Sequence, residues 1–145
     1  MNWIYEDKPY EPEELDPKVL YGFVYEIEDL DNGMKYIGKK LFWRSKVLPV
    51  TKTRKRRKRL KVESDWRDYY GSSEVLTEEV KSRGKERFKR TILRLCATKA
   101  ECSYFEAKWQ FERDVLLRED YYNGWVSVRV RKSHLKALLL EESRV

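Results

Sequence analysis

Cysteine and histidine are scarce. The chain of 145 residues contains two cysteines, Cys96 and Cys102, and one histidine, His134. That set lacks the paired spacing of a zinc finger and builds no disulfide framework. His134 lies outside every motif described below and reads as a surface or helix-packing residue. No apolar run is long enough to span a bilayer. The first sixteen residues, MNWIYEDKPYEPEELD, hold six acids and one lysine, the opposite of a secretory signal. Internal repeats are absent, and no separate helix-turn-helix stands out. The simplest reading is a cytoplasmic, single-domain protein.

Charge is abundant, at 39% of the residues against an ordinary level of about 25%. Aromatics make up 14%, which excludes the profile of a disordered chain. The net charge of +7 has one source. Residues 51–61, TKTRKRRKRLK, contain eight Lys/Arg and no acid, and the rest of the chain has 24 basic against 25 acidic residues. Such a run repels itself and does not fold alone. Arg54, Lys55, Arg56, Arg57, Lys58, Arg59 and Lys61 therefore read as a flexible arm that follows a phosphate backbone. A solvated or nuclear-localisation-like loop is the plainer alternative.

Along the chain, residues 1–18 carry three of the four prolines and read as an extended acidic lead-in, with Trp3 and Tyr5 able to pack on the domain. The domain proper is expected over 19–145, with a basic insertion at 46–63. Ser72 or Ser73 is a helix N-cap, and the helix over 74–83 ends at Gly84. Phe88 to Cys96 is rich in β-formers. Thr98 and Glu101 form a capping box that opens a helix to about residue 117, with Cys102, Phe105, Trp109 and Leu116 as its apolar stripe. Residues 125–130 alternate like a strand, and 133–142 read as a short terminal helix.

The richest stretch is YGFVYEIEDLDNGMKYIGKK, residues 21–40. It predicts a hairpin, because Asn32-Gly33 between two apolar-aromatic runs tolerates positive φ. With a loop over 29–32, Glu28 pairs with Gly33 and Tyr25 lies opposite Tyr36. A tight turn centred on Asn32-Gly33 puts Tyr36 opposite Asp29 instead. The spacing favours two phenols converging on one face.

Gly22-Phe23-Val24-Tyr25 and Tyr36-Ile37-Gly38, eleven residues apart at the tyrosines, resemble the GIY-YIG nuclease domain, the first half in degenerate form. WRDYYGSS and the later helix extend the likeness over roughly residues 20–125, close to small phage-encoded stand-alone members. The resemblance implies an α+β fold of the α/β/α sandwich kind, with a small central antiparallel sheet flanked by helices. It also implies phosphodiester hydrolysis of DNA, double-stranded or branched, in the host cytoplasm if the chain is phage-encoded.

Glu106, on the border of the second helix's apolar stripe, corresponds to the family's single metal-binding carboxylate, holding Mg²⁺ or Mn²⁺. Oxygen donors and few protein ligands suit that ion. Glu101 is explained by capping, and Glu112 is a rival. Asn123 after Tyr122 resembles the family's active-site asparagine, or is a turn residue before Gly124. Tyr25 or Tyr36 would be the general base. The family's arginine has no clear counterpart. Lys46 stands ten residues after Tyr36, and Arg67 is favoured narrowly over Arg44. Lys39 and Lys40, next to the YIG strand, are placed to touch the scissile phosphate. A non-cleaving nucleic-acid-binding protein on a degenerate nuclease scaffold is the alternative, and a basic RNA-binding accessory protein a weaker one.

Overall fold

Gly22 to Tyr25 are buried without a break. A strand of that kind is covered on both faces, and it occupies an inner position in the sheet of the computed structural model, which describes residues 2–138. In chain order the elements are β1 (Ile4–Tyr5), β2 (Lys8–Pro9), β3 (Gly22–Asp29), β4 (Lys35–Leu41), β5 (Trp43–Leu48) and β6 (Lys58–Glu63). Then come α1 (Glu74–Arg83), β7 (Phe88–Cys96) and α2 (Lys99–Glu112), with short 3-10 turns at Trp66–Asp68, Lys85–Arg87 and Lys132–Leu135. The central sheet runs β2-β1-β7-β3-β4. All its pairs are antiparallel except β1 with β7. β5 and β6 form a separate two-stranded ribbon.

The sheet has an apolar cluster on each side. Phe23, Tyr25 and Ile27 meet Phe42, Trp66 and, from α1, Leu76 and Val80. Val24 and Ile37 meet Cys102 of α2, Val115 and Tyr121. The result is the mixed α/β sheet flanked by helices that the sequence implies. Among the described residues no helix is long and apolar enough to cross a membrane.

Three local expectations change. First, the start of the lead-in is part of the sheet. Ile4 pairs with Thr91 and Tyr5 with Ile92, and Trp3 is buried with its Nε1 donating to the Trp66 carbonyl at 2.7 Å. Its ring meets Phe23 edge-on at 4.9 Å. Trp3→Ala should therefore lose about 3–5 kcal/mol, the scale of large aromatic truncations in a core. Thermal denaturation checks this, and an unchanged midpoint would show that the N-terminal strand is not part of the core.

Second, α2 stops at Glu112, and Asp114 takes a φ of 50°. Val115 is consequently buried while Leu116 is 49% exposed, so Leu116 leaves the predicted stripe. Third, residues 125–130 form no strand. Trp125 is 74% exposed, and the alternation there has no partner. The terminal helix expected over 133–142 begins with the 3-10 turn and lies partly outside the described residues.

Candidate active site

The hairpin carries the site on the outer strand of the sheet. Glu28 pairs with Lys35, Ile27 with Tyr36 and Tyr25 with Gly38, a register that neither expected turn produces. The turn is longer because side chains fold it. Asp29 Oδ1 accepts from the Asp31 amide at 3.0 Å, and Asn32 Oδ1 accepts from the Met34 amide at 2.9 Å. The Asp29 amide donates to the Met34 carbonyl at 2.7 Å, closing the loop. Asp29 itself is fully buried, and Arg83 from α1 pairs with it.

The register moves by two residues from the first expectation, so side-chain parity survives. Tyr25 and Tyr36 still share a face, as diagonal neighbours with ring centroids 6.1 Å apart. Gly38 makes this possible. A Cβ there would lie 2.6 Å from the Tyr25 hydroxyl and 2.8 Å from Tyr36 Cε1.

The two phenols sit in different surroundings. Tyr25 is fully buried, and burial, then the neighbouring Tyr69 and Tyr36, push its pKa well above the ordinary value. Tyr36 lines an open cleft of about 800 Å³. Its hydroxyl lies 3.0 Å from Ser72 Oγ, within hydrogen-bonding distance. Burial raises its pKa, and the bond to Ser72 opposes that rise.

Glu106 reaches the same cleft from α2, with its side chain 16% exposed. Burial raises its pKa, and Lys39, whose Nζ lies 4.0 Å away, lowers it. Lys39 also donates to Ser103 Oγ at 2.9 Å. Tyr36 and Lys39 alternate in direction along β4, so the cleft wraps the strand's free edge and draws on both faces of the sheet. Ser72, Ser73 and Glu74 at the start of α1 complete the opposite wall.

Asn123 is nearly buried and braces that edge. Its Oδ1 accepts from the Ile37 amide at 3.1 Å, and its Nδ2 donates to the Ile37 carbonyl at 2.8 Å. Gln110 Nε2 donates to the same carbonyl at 2.9 Å, and the Tyr122 amide donates to the Lys35 carbonyl at 2.7 Å. The side-chain amide thus acts as a backbone surrogate beside Tyr36, which is a positioning role.

The cationic candidates divide. No arginine lines the cleft among the described residues. Arg67 is anchored elsewhere: it donates to Glu63 Oε1 and to the Pro12 carbonyl, each at 3.0 Å, and lies over Trp66. It ties the N-terminal segment down, and the preference for it as the catalytic arginine is not supported by its position. Arg44, with Lys39 and Lys40, lines an adjacent hollow of about 370 Å³. Lys40 pairs with Asp65 at 2.7 Å and lies 4.1 Å from the Tyr69 ring centroid. Lys46 is exposed on the ribbon, as are Lys58, Arg59 and Lys61, while residues 54–57 lie in its connecting loop. The last third of the basic run, with Lys58, Arg59 and Lys61, is therefore strand, and the rest is the connecting loop. His134 is exposed.

Four residues were not read from the sequence as part of the site. Tyr69, Ser72 and Gln110 line the cleft. Arg90, mostly buried, donates to the carbonyls of Arg67 and Tyr69 at 2.9 Å each and stacks on Tyr70, holding the WRDYYGSS segment against the sheet. The signal was present in that motif, where two tyrosines precede Gly71 at a φ of 96°.

Comparison with protein families extends the likeness beyond the hairpin. A family model described as "Putative endonuclease segE, GIY-YIG domain" matches residues 3–126. Comparisons with curated proteins and with solved structures returned no match. The family match begins at the buried Trp3 and ends just past Asn123, and so spans the whole sheet, both helices and the cleft. The chain belongs to the GIY-YIG endonuclease family.

Proposed function

We propose that the chain is a divalent-metal-dependent DNA endonuclease in which Tyr36 accepts the proton of the attacking water and Glu106 holds the ion. The observation that carries this reading is their convergence: Tyr36 and Glu106 arrive from different elements and open onto one cleft, with Lys39 beside them. Tyr25, enclosed in the core, supports Tyr36 from behind.

The donor set fits a hard cation. Glu106 supplies the charged oxygen, and Gln110 Oε1, one helical turn along, is buried with no hydrogen-bond partner. Mg²⁺ accepts such a sparse set, because water and phosphate complete its shell. When bound, the ion would offset negative charge at the phosphate and at the leaving oxygen. The chain's own residues do the rest. Tyr36 acts as its phenolate. The water oxygen bonds to phosphorus, its proton passes to Tyr36 Oη, and the bond from phosphorus to the leaving oxygen breaks. Lys39, on the wall of a cleft that no arginine lines among the described residues, supplies positive charge to that phosphate.

Conversion of supercoiled plasmid to nicked or linear DNA, with Mg²⁺ and with EDTA, tests this reading. Cleavage is expected with Mg²⁺ alone. DNA binding without cleavage under both conditions would favour the non-cleaving scaffold, to which a cleft without arginine also points.

The pH profile follows from the two shifts. Burial holds Tyr36 protonated at neutrality, so its reactive fraction grows about tenfold per pH unit below its pKa. The raised pKa of Glu106 removes its charge as pH falls. Both effects act in one direction: the single-turnover rate should rise with a slope of about one between roughly pH 7 and 9. A flat profile would exclude a phenolate base.

A further inference from the structure

Most of the chain's excess positive charge sits on an element with no visible structural duty. Among the described residues, the hydrogen bonds that fix the β5–β6 ribbon to the rest of the chain lie at its foot. Trp43 Nε1 donates to the Leu20 carbonyl at 2.8 Å, and Glu63 accepts from Trp66 Nε1 at 2.7 Å. Beyond the foot, Ser45, Lys46, Val47, Lys58, Arg59 and Lys61 are all exposed. A two-stranded ribbon on its own is marginal in water, and this one concentrates like charge. An anionic surface would remove both liabilities.

The register distinguishes its faces. Val47 pairs with Arg59 and Ser45 with Lys61, and these four are exposed, while at the foot of the same face Trp43, half-buried, pairs with Glu63. On the other, Leu48, Leu60 and Val62 are half-buried. At two successive levels beyond Trp43 and Glu63, the open face sets a short side chain opposite a long cation; the other face also carries Arg44, Lys46 and Lys58, but its aliphatic partners are half-buried. The major groove of B-form DNA admits a two-stranded ribbon, and its base edges carry the contacts such residues make: guanine O6 and N7 for an arginine fork, the thymine methyl for valine.

We infer that the β5–β6 ribbon enters the major groove of duplex DNA and reads base edges with Arg59, Lys61, Val47 and Ser45, while residues 54–57 hold phosphates. The inference deepens the nuclease reading by naming the duplex as the form bound. Lys39 belongs both to the cleft and to the neighbouring hollow that Arg44 lines at the ribbon's foot. Lys39 and Arg44 thus link the reaction site to the ribbon's foot, with Asp65 paired to Lys40 between them. Six residues at about 3.3 Å each reach about 20 Å, or about six base pairs at 3.4 Å per pair, so the sequence read lies beside the cut.

Selection of binding sites from a randomised duplex pool tests this with the full chain in EDTA, where no cutting occurs. Wild type should enrich a short motif containing guanine. Arg59→Ala should lose the preference at that position while its affinity for random duplex falls less than about tenfold, as expected for a base contact. Serine at all four of residues 54–57 should weaken every sequence alike and flatten the slope of log K against log salt by about three to four units. Methyl green, which occupies the major groove, should displace the protein, and distamycin, in the minor groove, should not.

No enriched motif, an Arg59→Ala pool identical to wild type, or displacement by distamycin alone would overturn the inference. Equal affinity for single-stranded DNA or RNA would do the same. The outcome is independent of catalysis. Groove reading without plasmid cleavage would sink the nuclease reading alone, and cleavage with minor-groove binding would sink this one alone.

Discussion

Glu106→Gln is expected to abolish cleavage and to leave DNA binding intact or slightly tighter. The substitution preserves the shape of the side chain and its place on α2, and removes the charge that a divalent ion requires. A loss of at least about 10²–10³-fold is the scale for removing a group that stabilises developing charge. Stability moves the other way. Burial raises the pKa of Glu106, so its ionised form is disfavoured in the folded chain and stability falls as pH rises through that range. Glutamine lifts this penalty, and the variant should melt at or above the wild-type temperature at neutral pH. Lys39 gains freedom when its partner at 4.0 Å loses its charge, which accounts for the tighter binding. Parallel nicking, gel-shift and melting measurements separate the outcomes. Full activity in this variant would remove Glu106 from the mechanism, and joint loss of activity and melting temperature would make it structural.

Tyr36→Phe should lower the cleavage rate by about 10²–10⁴-fold, the usual contribution of a positioned proton acceptor. Only a hydroxyl is deleted, and its one hydrogen-bonded neighbour, Ser72, stands on the cleft wall. The fold should therefore be unaffected, and the rise of rate with pH should vanish. Tyr25→Phe is the control. That hydroxyl is sealed against Gly38 and beside Tyr69, so no proton of the attacking water reaches it and the rate should fall less than about tenfold. The reverse ranking would show that the cleft reorganises to expose Tyr25 when DNA binds.

Where the chain signals locally, the sequence was a reliable guide. Ser73 caps α1, Gly84 ends it at a φ of 94°, and β7 runs from Phe88 to Cys96 as its β-formers indicate. Thr98 caps α2 through the Glu101 amide at 3.2 Å. The caps rest on neighbours within four residues, and β7 shows in its own run of β-formers. Features decided by distant partners were not legible. β1 is two residues long and enters the central sheet through the distant β7. The hairpin register followed Asp29, whose burial against Arg83 outweighed the Asn-Gly turn preference. The charge of residues 51–61 hid a strand, because Leu60 and Val62 are a weak alternation inside a basic run. In the site, Tyr36 and Glu106 stood out through the family likeness. Tyr69 and Gln110 did not, since each enters the cleft only through folding. Asn123 was read from the Tyr-Asn pair, but its hydrogen bonds to Ile37 are a geometry that no motif encodes.

The way the outer strand is braced has a consequence for synthesis. Lys35 and Ile37 are secured by residues 121–123, and Ile4 by Thr91. Both closures join segments about 85 residues apart, and contacts of such separation form late because the loop entropy must be met first. A ribosome that has released the hairpin with both tyrosines has not yet released the segments that fix it. The nascent chain thus carries the hairpin before the cleft exists, and the cleft is completed when the last tenth or so of the matched family segment emerges.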